Sequence, residues 1–252
     1  MSYVSLSFTV LFVALSIALS LWLRLGVERD IVVAAVRAAV QLIVIGYILK
    51  LVFASHRLVF ILLMVALIIT VAAWNARGRA KGIPGAFWRI ACGLVVTEVL
   101  TQAVLVGFGV IPFQARYVIT TSGMIVGNSM VAAGLLMNRL RREVENGRSE
   151  IMAILALGGT PRQAMYPRLV QAIRAGMIPT IDSTKTTGLV QLPGMMTGQI
   201  IAGQDPVQAV RYQLMILFCI LAGSAVTSIV IGFLAYPTLF NRYQQLREDV
   251  LT

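Results

Sequence analysis

The chain has 252 residues, 58% hydrophobic and only 12% charged, whereas a soluble domain carries about 25% charged residues. That balance excludes a water-soluble globular protein and points to one membrane domain over residues 1–252. The net charge of +11 does not imply nucleic acid: no basic patch is interleaved with exposed aromatics, and Lys and Arg gathered on inner loops of a membrane protein give the same sign.

Apolar stretches fall at about 3–23, 31–53, 58–74, 87–110, 117–137, 186–203 and 212–235. Most approach the roughly 20 residues that a bilayer requires. The third is short and the sixth is irregular. The first lacks a basic leader and reads as a retained helix, not a cleaved signal. The expected fold is all-α, a polytopic transmembrane helical bundle of about seven spans. With the N-terminus outside and the C-terminus inside, 17 of the 21 Lys and Arg lie on the inner side, and Lys50, Arg57, Arg116 and Arg211 lie outside.

Trp22, Trp74 and Trp88 sit near expected span ends, where interfacial anchors belong. In the second span Arg37 and Gln41 are four apart and share one face. His56, alone beside Arg57, reads as a solvated loop residue, because a metal site needs several ligands together. Cys92 and Cys219 fall inside apolar stretches and read as small buried hydrophobes. In the fourth span Glu98 and Gln102 share a face, with Thr97 and Thr101 alongside. Glu98 is the one carboxylate well inside a span. It is either a cation ligand or proton carrier, or a structural partner of Arg37 or a neighbouring amide.

The fifth span is small and polar at Ser122, Gly123, Gly127, Asn128, Ser129 and Gly134, which predicts an internal helix. Gly123 and Gly127 have the spacing of a close helix contact. Asn128, Ser129 and Met130 offer oxygen and sulfur ligands. A basic continuation, 139–148, leads into a cytoplasmic coupling region, 139–185. There Ser149 is the expected cap of a short helix carrying Ile151, Met152, Ile154 and Leu155. Gly158 and Gly159 stop that helix. Thr160 then caps a second, basic helix with Pro161 at its first position and a kink at Pro167. Such an elbow either docks in a groove on a partner or lies on acidic lipid. Its first helix holds few basic residues, which favours docking.

The stretch 179–203 contains Asp182, Lys185, Gln191 and Gln199 beside Met195 and Met196, with several glycines and prolines. In lipid such a backbone survives only inside protein or lining a cavity. It reads as part of a transport pathway or as a close helix interface. Together with Glu98, Asn128 and Met130, the residues Met195, Met196 and Gln199 are expected to share one cavity. Carboxylate and amide oxygens would suit hard or borderline cations there, and thioethers softer ones. No G-x-x-x-x-G-K-[ST] loop is present, so the chain does not bind ATP by a P-loop. Neither H-E-x-x-H nor G-x-S-x-G occurs. An enzyme is not expected.

The runs MIVGNSM (124–130), ALGGTPRQA (156–164) and IPTIDSTKTTGLVQLPGMMTGQIIAGQDP (178–206) resemble the FetB/YbbM family of ABC-transporter permeases. The resemblance covers essentially the whole chain. It implies a bacterial inner-membrane permease for metal export, iron in particular, with relatives among plant aluminium-resistance membrane subunits. It further implies a permease homodimer served by a separate FetA-like ATP-binding subunit that holds ATP and Mg, while this chain holds no cofactor. In that arrangement Glu150, Ile154, Leu155, Gly158, Gly159 and Arg162 of the elbow are the expected contacts to the ATPase.

Overall fold

The computed structural model describes residues 8–55, 57–80 and 82–247, so His56 and Lys81 lie outside the described residues. The chain forms two compact units, Met1–Arg57 and Leu58–Thr252. In the first, α1 (Val10–Leu23) and α2 (Glu28–Ser55) pack as a hairpin. Arg24 and Gly26 take positive φ at the turn, and the buried Ser20 hydroxyl donates to Glu28 at 2.8 Å.

The second unit holds α3 (Leu58–Arg77), α4 (Ala86–Gly107), α5 (Ala115–Asn146), α6 (Arg148–Ala156), α7 (Pro161–Thr186), α8 (Gly194–Ile201) and α9 (Pro206–Ala235), followed by a 3-10 turn, Tyr236–Leu239. Among the described residues there is no strand, only the isolated bridges Thr187–Gln191 and Phe240–Leu246. The fold is all-helical, as expected. Five helices, α2, α3, α4, α5 and α9, are long and apolar enough to cross a membrane. The three tryptophans lie near helix ends with exposed rings, as interfacial anchors do.

Helix α5 is the hub, packing against α3, α4, α7 and α9. Its residues Ala133, Leu136, Met137 and Leu140 are fully buried in the main apolar cluster. Close approaches are made elsewhere than expected, the tightest between helices at Gly93 of α4, where a Cβ would stand 2.4 Å from the Ile231 side chain of α9. A Cβ on Gly176 of α7 would stand 3.0 Å from the Ala132 carbonyl oxygen of α5 and 2.9 Å from the Ser228 hydroxyl of α9. Gly223 of α9 is pressed likewise against Thr97, Ile125 and Ser129. Gly123 and Gly127 have nothing within 4 Å where a Cβ would stand, so the predicted contact at that pair is not made among the described residues.

Residues 186–203 are not one span. Helix α7 runs on to Thr186, the chain breaks over 187–193, and only the eight residues of α8 follow. A glycine at positive φ and a proline mark the stop, beside local hydroxyl bonds of the kind also found in the intact helices. Thr186 and Thr187 donate to the Ser183 carbonyl at 3.1 and 2.8 Å, Gly188 has φ +91°, and Pro193 begins the next helix as its cap. Pro167 and Pro179 lie inside α7 without ending it. At 26 residues α7 is about 39 Å long. It is too polar to count as a span by hydropathy, yet it packs on α5 and α9.

At the elbow, Ser149 is not the cap. Gly147 holds that position, without a side-chain bond, and Ser149 falls in the first turn of α6. Thr160 does cap α7: its hydroxyl accepts from the Gln163 amide at 3.3 Å, the Gln163 side chain accepts from the Thr160 amide at 2.8 Å, and Pro161 fills the first helical position. Arg168 of α7 pairs with Glu143 at 3.4 Å and with Glu150, and Arg139 meets Glu143 at 2.7 Å. These pairs tie α7 to the end of α5 and to α6.

Candidate functional site

Helix α4 turns Thr97, Glu98 and Thr101 into the bundle, all buried. Thr101 donates to the Thr97 carbonyl at 2.8 Å, and the Thr97 and Thr227 hydroxyls share a hydrogen bond of 2.6 Å. Ser122 of α5 donates to one Glu98 oxygen. The Gln102 amide nitrogen donates to Thr121 at 3.0 Å and to Ser122 at 3.1 Å. The second Glu98 oxygen and the Gln102 carbonyl oxygen are buried with no hydrogen-bond partner. A buried acceptor left in this state costs about 1–3 kcal/mol.

The seam continues toward α7. Thr97 and Ser129 close on Gly223, and the Ser129 hydroxyl is again buried and unpartnered. The next residue of α9, Ser224, bonds Thr180 of α7 at 3.1 Å. Thr180 faces a cavity of about 300 Å³ between α5, α7, α9 and the chain break. Asn128 comes from α5, Ser183 and Thr184 from α7, Thr187 and Gln191 from the break, and Gln213 from α9. Among the described residues no charged side chain lines the cavity. Gln213 is 6% exposed and its carbonyl oxygen has no partner. The Asn128 amide nitrogen is used by the Met124 carbonyl at 2.9 Å. The Thr184 and Thr187 hydroxyls likewise donate to their own helix, so their lone pairs are what they offer a guest.

Of the residues expected to share one cavity, only Asn128 lines it. Glu98 lies at the far end of the seam. Met130 packs against the apolar core, and Met195 and Met196 sit half-buried on α8. Gln199 is half-buried with its carbonyl oxygen unpartnered. Gln191 does reach the cavity, and Ser129 belongs to the seam. Asp182 and Lys185 are exposed and pair with each other at 3.5 Å. Arg37 and Gln41 lie exposed in the first unit. Among the described residues no three His, Cys, Asp or Glu come together as a metal group. Sequence reasoning missed Gln213, the cavity's deepest amide. Its signal was a carboxamide at the very start of the apolar run 212–235, just after Arg211.

In the elbow, Leu155, Gly158 and Gly159 border a surface hollow, and Ile154 is directed toward the core. Glu150 is held by Arg168, Arg162 is exposed, and Leu157, between the expected contacts, is 88% exposed.

Long apolar helices around a polar seam, with a helix broken beside a neutral cavity, define a polytopic helical membrane protein. The chain belongs to the uncharacterised protein family UPF0014, whose model matches residues 3–240. It is 51% identical to the UPF0014 membrane protein YjkA of Bacillus subtilis over 99% of this chain and 100% of the relative. It is 42% identical to the Probable iron export permease protein FetB of Escherichia coli, over 96% of this chain and 93% of that one. With Protein ALUMINUM SENSITIVE 3 of Arabidopsis thaliana the identity is 32%, covering 90% and 84%. No solved structure matches the chain.

Proposed function

We propose that this chain is the permease subunit of an ABC transporter of the bacterial inner membrane, exporting metal ions such as iron. A separate FetA-like subunit binds ATP and Mg and hydrolyses the nucleotide. The observation that carries this reading is the neutral cavity at the break after α7. Broken backbone at membrane depth is tolerated only inside protein or along a water-filled path. Amide and hydroxyl oxygens without a carboxylate hold a hard or borderline cation loosely, which suits passage better than storage. The similarity to FetB supports iron as cargo. In this reading α7, not residues 186–203, supplies the sixth crossing, so the N-out, C-in orientation and a cytoplasmic elbow are retained. The open face at Gly123 and Gly127 suits a second copy of the permease.

A second reading, a self-sufficient cation channel or proton-coupled carrier, is favoured by one observation, the half-partnered carboxyl of Glu98. One experiment separates the two. Proteoliposomes holding this chain with its P-loop ATPase are expected to move iron(II) only when ATP is supplied. Equal flux from the chain alone would reject the ABC reading in favour of the carrier.

A further inference from the structure

After α9 the chain turns back on itself over residues 240–246. Phe240 and Leu246 bridge each other, and with Leu239 they are buried in the main apolar cluster. Between them the Asn241 side chain locks the turn. Its carbonyl oxygen accepts from the amides of Tyr243 and Gln245, both at 2.9 Å, and its nitrogen donates to the Gln245 side chain at 2.9 Å. Gln244 takes a positive φ of 61° to close the loop. So pinned, the turn holds Tyr243 outward with 85% of its surface exposed. Packing within the chain gives no reason for that placement.

Opposite the turn stands the elbow. A hollow of about 380 Å³ separates them, with Met152, Leu155 and Gly159 on one side and Tyr243, Gln244 and Gln245 on the other. Among the described residues the acidic groups of this end are already used, since Glu143 and Glu150 are both paired with Arg168 and Glu145 with Arg141. Two of the basic ones are not. Arg162, three residues after Gly159, and Arg242, immediately before Tyr243, are exposed and have no ion pair among the described residues.

We propose that the 241–247 turn and the α6–α7 elbow form one docking surface for the ATP-hydrolysing subunit. Its partner face carries an apolar side chain that fills the hollow and acidic groups that meet Arg162 and Arg242. The inference rests on the reading that such a subunit exists. It adds that the C-terminal turn touches it. Charge complementarity speeds encounter and fixes register, while a filled apolar pocket holds the complex. A bilayer surface would receive Tyr243 as an anchor but would not fill a hollow between two protein elements.

The test places the photo-crosslinker benzoylphenylalanine at position 243, at position 157, or at the control position 108, whose phenylalanine is 82% exposed at the far end of α4. Each variant is expressed with a FetA-like P-loop ATPase as the candidate partner subunit. Adducts of 243 and 157 with that ATPase, and none from 108, are the expected result. Arg242→Glu should lower the yield at 157 at least tenfold without lowering the amount of permease in the membrane. Adducts from 157 alone would overturn the part assigned to the turn and leave the permease reading intact. Adducts of 243 with lipid alone would make Tyr243 a membrane anchor and likewise overturn the proposal. No ATPase adduct at either site would overturn both this inference and the reading beneath it.

Discussion

The two ends of α7 are built in opposite ways. At its start a capping box, a proline and the Arg168 ion pairs fix the helix to α5 and α6. At its finish Gly188, at positive φ, leads it into a loop where Leu189 is 93% and Val190 85% exposed. One end is clamped and the other is free to yield, and Gly176 between them is wedged against α5 and α9. A rigid body clamped at one end and loose at the other can carry a displacement from elbow to cavity. That is the mechanical content of the proposed permease.

The comparison breaks most severely at the wedge. Gly176→Leu must displace the Ala132 carbonyl and the Leu136 side chain. Overpacking of this kind costs about 1–3 kcal/mol or more, and the Ala132 backbone cannot swing away. The expected result is a markedly lower midpoint of thermal unfolding in detergent, with loss of activity. At the clamped end, Arg168→Ala removes one of two guanidiniums from the buried Glu143. Because Arg139 remains, the loss should be about 2 kcal/mol, below the 3–5 of a fully broken buried pair. ATPase stimulation by substrate should fall while the permease remains inserted. Thr160→Ala should be milder, about 1 kcal/mol, seen as faster amide exchange over residues 161–164. At the yielding end Thr187→Val should change stability by less than 0.5 kcal/mol, as exposed-site substitutions do.

The sequence made much of this legible, and the reasons are physical. Hydrophobic run length reveals membrane helices because lipid offers no partner to a polar backbone. Thr160-Pro161 is legible because capping is local. The course of α7 is not local. Its charges, its two prolines and its hydroxyls all argue against a long helix, and contact with α5, α6 and α9 holds it in place. The glycine contacts show the same limit. Spacing pointed to Gly123 and Gly127, but close approaches fall at Gly93, Gly176 and Gly223, which have no such motif. Glu98 stood out as a carboxylate in an apolar run. Its partner Ser122 is 24 residues away and no pattern joins them. Thioethers drew attention to Met195 and Met196, whereas the polar part of the cavity's lining is hydroxyls and amides, set among apolar side chains such as Leu135, Leu217 and Ile220, and their convergence depends on three helices.

Glu98 gives a further division between seam and core. Glu98→Gln keeps the shape and removes the charge, so expression and pairing with the ATPase should persist while metal-resistance activity in cells is abolished. Retained resistance would make Glu98 a structural partner of Ser122 alone.

The central claim is that cargo passes through the cavity between α5, α7 and α9, and Gln213 tests it most directly. Its carbonyl oxygen is buried and unpartnered, so Gln213→Leu removes an unsatisfied group and should leave the unfolding midpoint unchanged or raise it. In proteoliposomes with the ATPase, the account predicts that ATP-driven iron(II) flux through this variant falls at least tenfold. Full flux through an equally stable Gln213→Leu protein would contradict it.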